Sequence, residues 1–339
     1  MSQSSCSSLQ IEAFTSPEAF TDLEAEWRAL MARSAHAHPF YDPAWHAAWW
    51  RNFGAGELRV YALRDEAGAL TGVAPFVLSE GGRLRLTGGD DLSDYLDIIA
   101  ADGAHLACWR AVLAGFEEPD APAWRELSLR GIPEASPTIA AVEELTGGAA
   151  SISEEEVCPV IPLPDSWDEY TGMLAPRDER DLRRKIRKAN MEAGLEYERT
   201  ESAEALAADL EDFIALHALS QPEKADFWNA DRRSFFGDVT GAMLELGCLD
   251  LSVMRVDGHP VAANLSFDYA DRIYLYNSGF DPVEHELSAG LVLLAHNVEE
   301  AIQAGRASFD LLRGDEAYKY RFGAQDERVM RVRIERSSK

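Results

Sequence analysis

Near the end of the chain, residues 309–324 read FDLLRGDEAYKYRFGA, with Lys319 between Tyr318 and Tyr320 just after a strand-like run and an Arg-Gly-Asp turn. A phenol can hold and deliver a proton, and a cation can stabilise developing negative charge. The cluster reads either as a catalytic edge or as packing, with Tyr318 on a sheet and Lys319 and Arg321 in solvent; Asp310 and Arg313 would brace the turn. A second candidate is Ser288, Ala289 and Gly290, which open an apolar helical pattern. Free N–H groups in a helix's first turn favour anions, and small side chains let a phosphate reach them. Ser288 is expected to cap this helix. A third is PRDERDLRRKIRKAN (176–190), with seven Lys or Arg against three acids in 177–188. Helical spacing puts Arg180, Arg184 and Arg187 or Lys188 on one face, which is either a solvated, ion-paired surface or a contact for phosphates. Asn264 and Asn277 fall inside β-rich runs, where a buried amide must bridge to structure or to a ligand.

The elements that position these residues follow from periodicity. In the first half, strands at 9–14, 83–88, 95–99, 124–129 and 157–163 accompany a hairpin over 57–78 and helices opening at 17, 43, 104 and 134. Trp45 and Trp49, four apart, read as core; GGDDLSDYLD (88–97) reads as an exposed acidic loop able to steer an amine. In the second half come helices at 165–174 and 176–192, a strand at 195–200 and helices at 203–219 and 231–246. A meander follows (249–256, 260–269, 272–279), then helix 288–304, strand 307–312, a short helix at 315–321 and a last strand at 328–335. This is an α+β layout, divided between 150 and 165 into domains 1–160 and 161–339. The hairpins LRVYALRDEAGALTGVAPFVL and LSVMRVDGHPVAANLSFDY share an acidic-Gly turn and a Val-Ala pair, as duplicated domains would.

Bulk composition narrows the function. The 339 residues are 46% hydrophobic and 27% charged, ordinary for a chain with a packed core. The net charge of −27 argues against sequence-independent binding of DNA or an anionic membrane, and requires any anionic ligand to be held by a local positive site. The first ten residues lack the pattern of a secretory leader, and no run reaches the length of a membrane helix. Cys6, Cys108, Cys158 and Cys248 are scattered, and His36 and His38 read as neutral loop residues, so a reduced, cytoplasmic, metal-free protein is expected.

GHPVAANLSF, YNSGFDP, SAGLVLLAHNVEEAIQAG and FDLLRGDEAYKYRFG together resemble the GNAT-fold acetyltransferases, in the CelD-like branch related to FemAB-type aminoacyltransferases. The likeness covers residues 165–335 and, through EAEWRAL, HPFYDPAWHAAWW and GVAPFVL, extends to the first half. It implies two tandem GNAT-like domains, each a mostly antiparallel mixed sheet flanked by helices, the first degenerate. It implies acetyl-CoA or another acyl-CoA as co-substrate, held where the helix at Ser288, Ala289 and Gly290 begins, with Arg184 and Arg187 toward its phosphates. SAG departs from the Gly-rich, basic loop usual in the family. By position Tyr318, with Tyr320 in reserve, would protonate the leaving thiolate, and Lys319 would stabilise the oxyanion. Asn264 and Asn277 would contact acceptor or pantetheine. The expected reaction is direct acyl transfer to an amine of a small metabolite or sugar. The alternatives are a FemAB-type transferase using aminoacyl-tRNA, which the net charge disfavours, and a non-catalytic binding module.

Overall fold

The computed structural model describes residues 9–336; Cys6 and the other residues before position 9, on which the reading of no secretory leader partly rests, lie outside them. The chain divides into two compact units, one running to Glu156 and resuming at Arg328, the other Val157–Glu327.

The first unit contains β1 (Gln10–Phe14), α1 (Ala19–Asp22), α2 (Glu24–Met31), α3 (Pro43–Phe53), β2 (Glu57–Arg64), β3 (Leu70–Ser79), β4 (Arg83–Leu86), β5 (Ile99–Ala100), α4 (His105–Gly115), β6 (Glu126–Pro133) and α5 (Pro137–Thr146). Strands run in the order β1-β2-β3-β4-β6, antiparallel except for β4 beside β6, with β5 on β3. Trp45 and Trp49 are buried, as expected. The acidic loop is not the exposed feature anticipated: Leu92, Ser93, Tyr95, Leu96 and Asp97 are all buried. Asp97 is retained there because Ser136 and Thr138 donate hydroxyl hydrogen bonds to it, replacing lost water.

The second unit begins within β7 (Ser151–Pro162) and continues through α6 (Trp167–Met173), α7 (Pro176–Ala189), β8 (Leu195–Arg199), α8 (Ala203–Ser220), α9 (Pro222–Ala225), α10 (Ala230–Glu245), β9 (Leu249–Val256), β10 (His259–Tyr269), β11 (Arg272–Phe280), α11 (Ala289–Gln303), β12 (Ser308–Asp310) and α12 (Ala317–Arg321). The strand order is β7-β12-β11-β10-β9-β8, antiparallel except for β11 beside β12. The expected meander and crossing helix are present; α11 lays Leu294, Val298 and Ile302 on a core shared with Ile273, Leu275 and Phe309. The final strand, β13 (Gln325–Glu335), corrects the expected boundary: from Val329 it pairs with β6, so the chain returns to the first unit.

Candidate active site

In the second unit β11 and β12 pair only briefly. Only Arg272–Tyr274 meet Ser308–Asp310; β11 then continues alone with β10 to Phe280, past a bulge at Tyr276. A bulge re-aims the side chains that follow it, here Asn277. After Asp310 the chain turns sharply at Leu312 (φ +54°), whose N–H bonds the Asp310 carboxylate at 2.8 Å. Asp310 is fully buried and is bridged by Arg272 at 3.2 Å, so it braces the turn as expected.

Lys319 is buried, not solvated. Its ammonium donates to the carbonyls of Leu312 (3.0 Å), Arg313 (2.8 Å) and Gly314 (3.1 Å) and pairs with Glu316 at 3.0 Å. An ammonium has three donors, and all three are used inside the protein. This geometry gives Lys319 the task of locking the turn that presents α12.

Tyr318 lines a cleft with Leu182 and Lys185 of α7, Leu291 of α11, and Phe322. Arg321 clamps α12 to α7 through Asp178 (3.0 Å) and Asp181 (2.6 Å). The Tyr318 hydroxyl makes no hydrogen bond to any described residue, while burial and then Glu316 push its pKa up. Tyr320 is exposed and donates to Asp326 at 2.9 Å, away from this cleft.

The opening of α11 corrects one expectation. Ser288 adopts a left-handed conformation (φ +56°, ψ 42°) and its side chain does not cap. Its carbonyl accepts from Leu291 and Val292, so the N–H groups of Ala289 and Gly290 have no acceptor among the described residues. Gly290 packs against Phe280. Glu286, just before the helix, is paired with Lys188 of α7 at 3.1 Å. Arg184 is committed to Asp181 at 2.7 Å, whereas Arg187 is exposed and has no partner among the described residues.

The two asparagines separate. Asn264 is buried and donates to Asn297 of α11 at 2.7 Å, with Ser252 donating to the same oxygen at 3.1 Å, so it ties sheet to helix. Asn277 is half-buried. Its Oδ1 lies 2.9 Å from His217 Nε2 and accepts from the Ser278 N–H, which leaves its NH2 without a partner among the described residues. Trp228 donates to His217 Nδ1 at 2.9 Å. Lys224 donates to the Ser278 carbonyl at 3.1 Å and is close enough to Glu316 to feel its charge. Asn277, Lys224, Glu316 and α12 are thereby brought to one region. Sequence reasoning missed His217, Trp228 and Lys224. A signal for the first was available, since His217 falls on the apolar stripe of α8 after Leu206, Leu210 and Phe213. No group of three or more His, Cys, Asp or Glu among the described residues is placed to hold a metal, and no described helix is long and apolar enough to cross a membrane.

Residues 177–320 match the sequence model described as acetyltransferase (GNAT) domain. No curated protein sequence matches the chain. Among solved structures, the fold is similar to FemX (TM-score 0.66, 12% identity, 94% of this chain and 96% of that one). It is similar to the C-terminal domain of a putative lysylphosphatidylglycerol synthetase from Agrobacterium fabrum (TM-score 0.58, 13%, 92% of each chain). A tandem GNAT protein from the clavulanic acid biosynthesis pathway aligns over 97% of this chain and 100% of its own (TM-score 0.50, 12%). At these identities the structures speak for the fold alone. Residues 177–320 of the second unit thus match a GNAT-type acetyltransferase domain, within a chain whose fold is similar to those of FemX and a tandem GNAT protein.

Proposed function

We propose that the chain is an acyl-CoA-dependent N-acyltransferase, with acetyl-CoA the expected donor and an amine of a small metabolite or sugar as acceptor. The observation that carries this reading is the nearness along α11 of two features, a free helix start and the cleft that Tyr318 lines. The N–H groups of Ala289 and Gly290 point no bond into the protein, and the unpartnered phenol of Tyr318 lines the cleft with Leu291, one residue further along α11. The helix start offers a local positive end to donor phosphates on an acidic protein, and Lys188 offsets Glu286 beside it. Arg187 is available to the same phosphates.

The acceptor nitrogen forms the new bond to the acyl carbon as the carbon–sulfur bond breaks. Tyr318 gives its proton to the departing sulfur and recovers one from water, and the product nitrogen loses its proton to water. Burial raises the phenol, but it raises a thiol in the same cleft in the same direction, so the transfer stays near balance. Asn277 offers its free NH2 to the acyl or acceptor oxygen. Lys319 acts through the turn it locks.

A second reading has aminoacyl-tRNA as donor, as the FemAB resemblance implies; the exposed Arg177, Arg180 and Arg187 of α7, without partners among the described residues, favour it. The net charge of −27 opposes a polyanion of that size. Thermal-shift titration with acetyl-CoA and with uncharged tRNA separates them, because a ligand stabilises as the logarithm of its concentration over Kd. Stabilisation by acetyl-CoA is expected. Stabilisation by tRNA alone would replace the donor, and no response to either would leave a binding module.

A further inference from the structure

The sheet of the first unit buries Leu84, Leu86, Leu127, Leu129 and Val332 on one face. Alternation along the strands puts Arg83 and Arg85 of β4, and Ser128 and Arg130 of β6, on the other. Register brings them side by side, since Arg83 pairs with Glu126 and Leu84 with Leu127. Arg331 of β13 joins them at an irregularity, where Arg130 and Gly131 together oppose this one residue. Arg83, Arg85, Arg130 and Arg331 line a depression of about 200 Å3 with Asp90 and Ser128. A water needs only about 10–15 Å3 of such space.

Nearby carboxylates partner Arg130 and Arg83 but not Arg85 or Arg331. Glu155 is taken by Arg130 and the Gly131 N–H (3.0 Å). Glu126 accepts from Arg333 at 3.1 Å and lies 3.7 Å from Arg83. Arg85 stacks over Trp49, and neither it nor Arg331 has a hydrogen-bonded or ion-paired partner among the described residues. Arg331 Nε is buried with no acceptor, which is costly unless something fills the depression. The one acidic lining residue, Asp90, has its pKa pushed up by burial, against the pull of Arg85 and Arg130. We propose that this depression binds the phosphate or diphosphate group of a small ligand, a site independent of the transfer reading. Planar guanidinium forks match such oxygens bidentately, and a phosphoryl group offers three strong acceptors where a carboxylate offers two.

The test is calorimetric titration of the full chain with inorganic pyrophosphate, and separately with acetyl-CoA. Saturable 1:1 binding of pyrophosphate that weakens with added salt is expected. R85Q/R331Q should weaken it at least tenfold, and R85K, which keeps charge and folding but loses the fork, should weaken it several-fold. R328Q, altering a residue paired with Glu134 and Glu154 elsewhere on the unit, should leave it unchanged. No saturable pyrophosphate binding by the wild type, or equal binding by R85K and R85Q/R331Q, would overturn the proposal. Loss of acetyl-CoA affinity in either pocket variant would also overturn it, by making the depression part of the donor's site.

Discussion

Trp228 donates its indole N–H to Nδ1 of His217 at 2.9 Å, and because indole can only donate, that nitrogen must be the unprotonated one. The proton is then on Nε2, which donates to Asn277 Oδ1 and turns the Asn277 NH2 away. Nitrogen-15 NMR should show His217 as the neutral Nε2–H tautomer with no titration above pH 5. Trp228→Phe should mix the tautomers and let the pKa move toward the ordinary value of about 6.5. A titration near 6.5 in the wild type would contradict the chain of bonds.

Acid stability should carry the mark of these buried groups. Burial holds His217 and His105 down to about 4 and His46 to about 3. The unfolded chain takes up protons first on these rings, so their linked stability is full above about pH 6.5 and declines as pH falls toward 4. Asp97 and Asp250 act oppositely: burial pushes each up to about 6, so their linked stability declines as pH rises from about 4 to 6. His217→Gln should therefore flatten the rise of urea-unfolding stability between pH 4.5 and 7, and Asp97→Asn should steepen it. Parallel curves for both variants and the wild type would dismiss the assignment.

The expectations for the Ser288 cap and the 88–97 loop failed, and the readings of Lys319 stayed open, for one physical reason. Meander strands, α11 and α7 were legible because local periodicity dictates them, and α11 begins within a residue of its expected start. The role of a polar side chain depends instead on what the fold delivers to it. Lys319 was open between a catalytic cation and a solvated one because its three carbonyl partners belong to a turn whose curvature, with Leu312 at φ +54°, no propensity announces. The acidic loop looked exposed because its burial rests on Ser136 and Thr138, some forty residues along the chain. Asn264 was open between bridge and ligand contact until Asn297 of α11 came opposite it.

Lys319→Met should cost stability without removing donor affinity. The methionine fills the space but leaves the carbonyls of Leu312, Arg313 and Gly314 without their donor. One or two such groups remaining unsatisfied would cost about 2–4 kcal/mol, lowering Tm by roughly 2–4 °C per kcal/mol for a unit of this size. A variant as stable as the wild type, but inactive, would return Lys319 to the reacting carbonyl.

Tyr318→Phe removes the one unpartnered phenol of the cleft while keeping its packing against Leu182 and Phe322. General-acid assistance contributes about 10²–10⁴-fold. In a thiol-release assay kcat should fall by at least about a hundredfold, with acetyl-CoA affinity and Tm near wild type. Equal activity in the phenylalanine variant would remove Tyr318 from the chemistry.

Gly290→Ala separates the helix from the binding surface it offers. An added Cβ would lie 3.2 Å from Cδ1 of Phe280, whose ring is 38% exposed and free to yield by a few tenths of an ångström. Alanine favours the helix by up to about 1 kcal/mol over glycine, so Tm should hold or rise. If donor phosphates approach the N–H of Gly290, the new methyl stands in their way, and acetyl-CoA affinity should fall about tenfold, or about 1.4 kcal/mol. A Gly290→Val variant should lose more. Undiminished affinity in both would place the donor's phosphates somewhere other than the start of α11, leaving the partnerless arginines of α7 as the next positions to change.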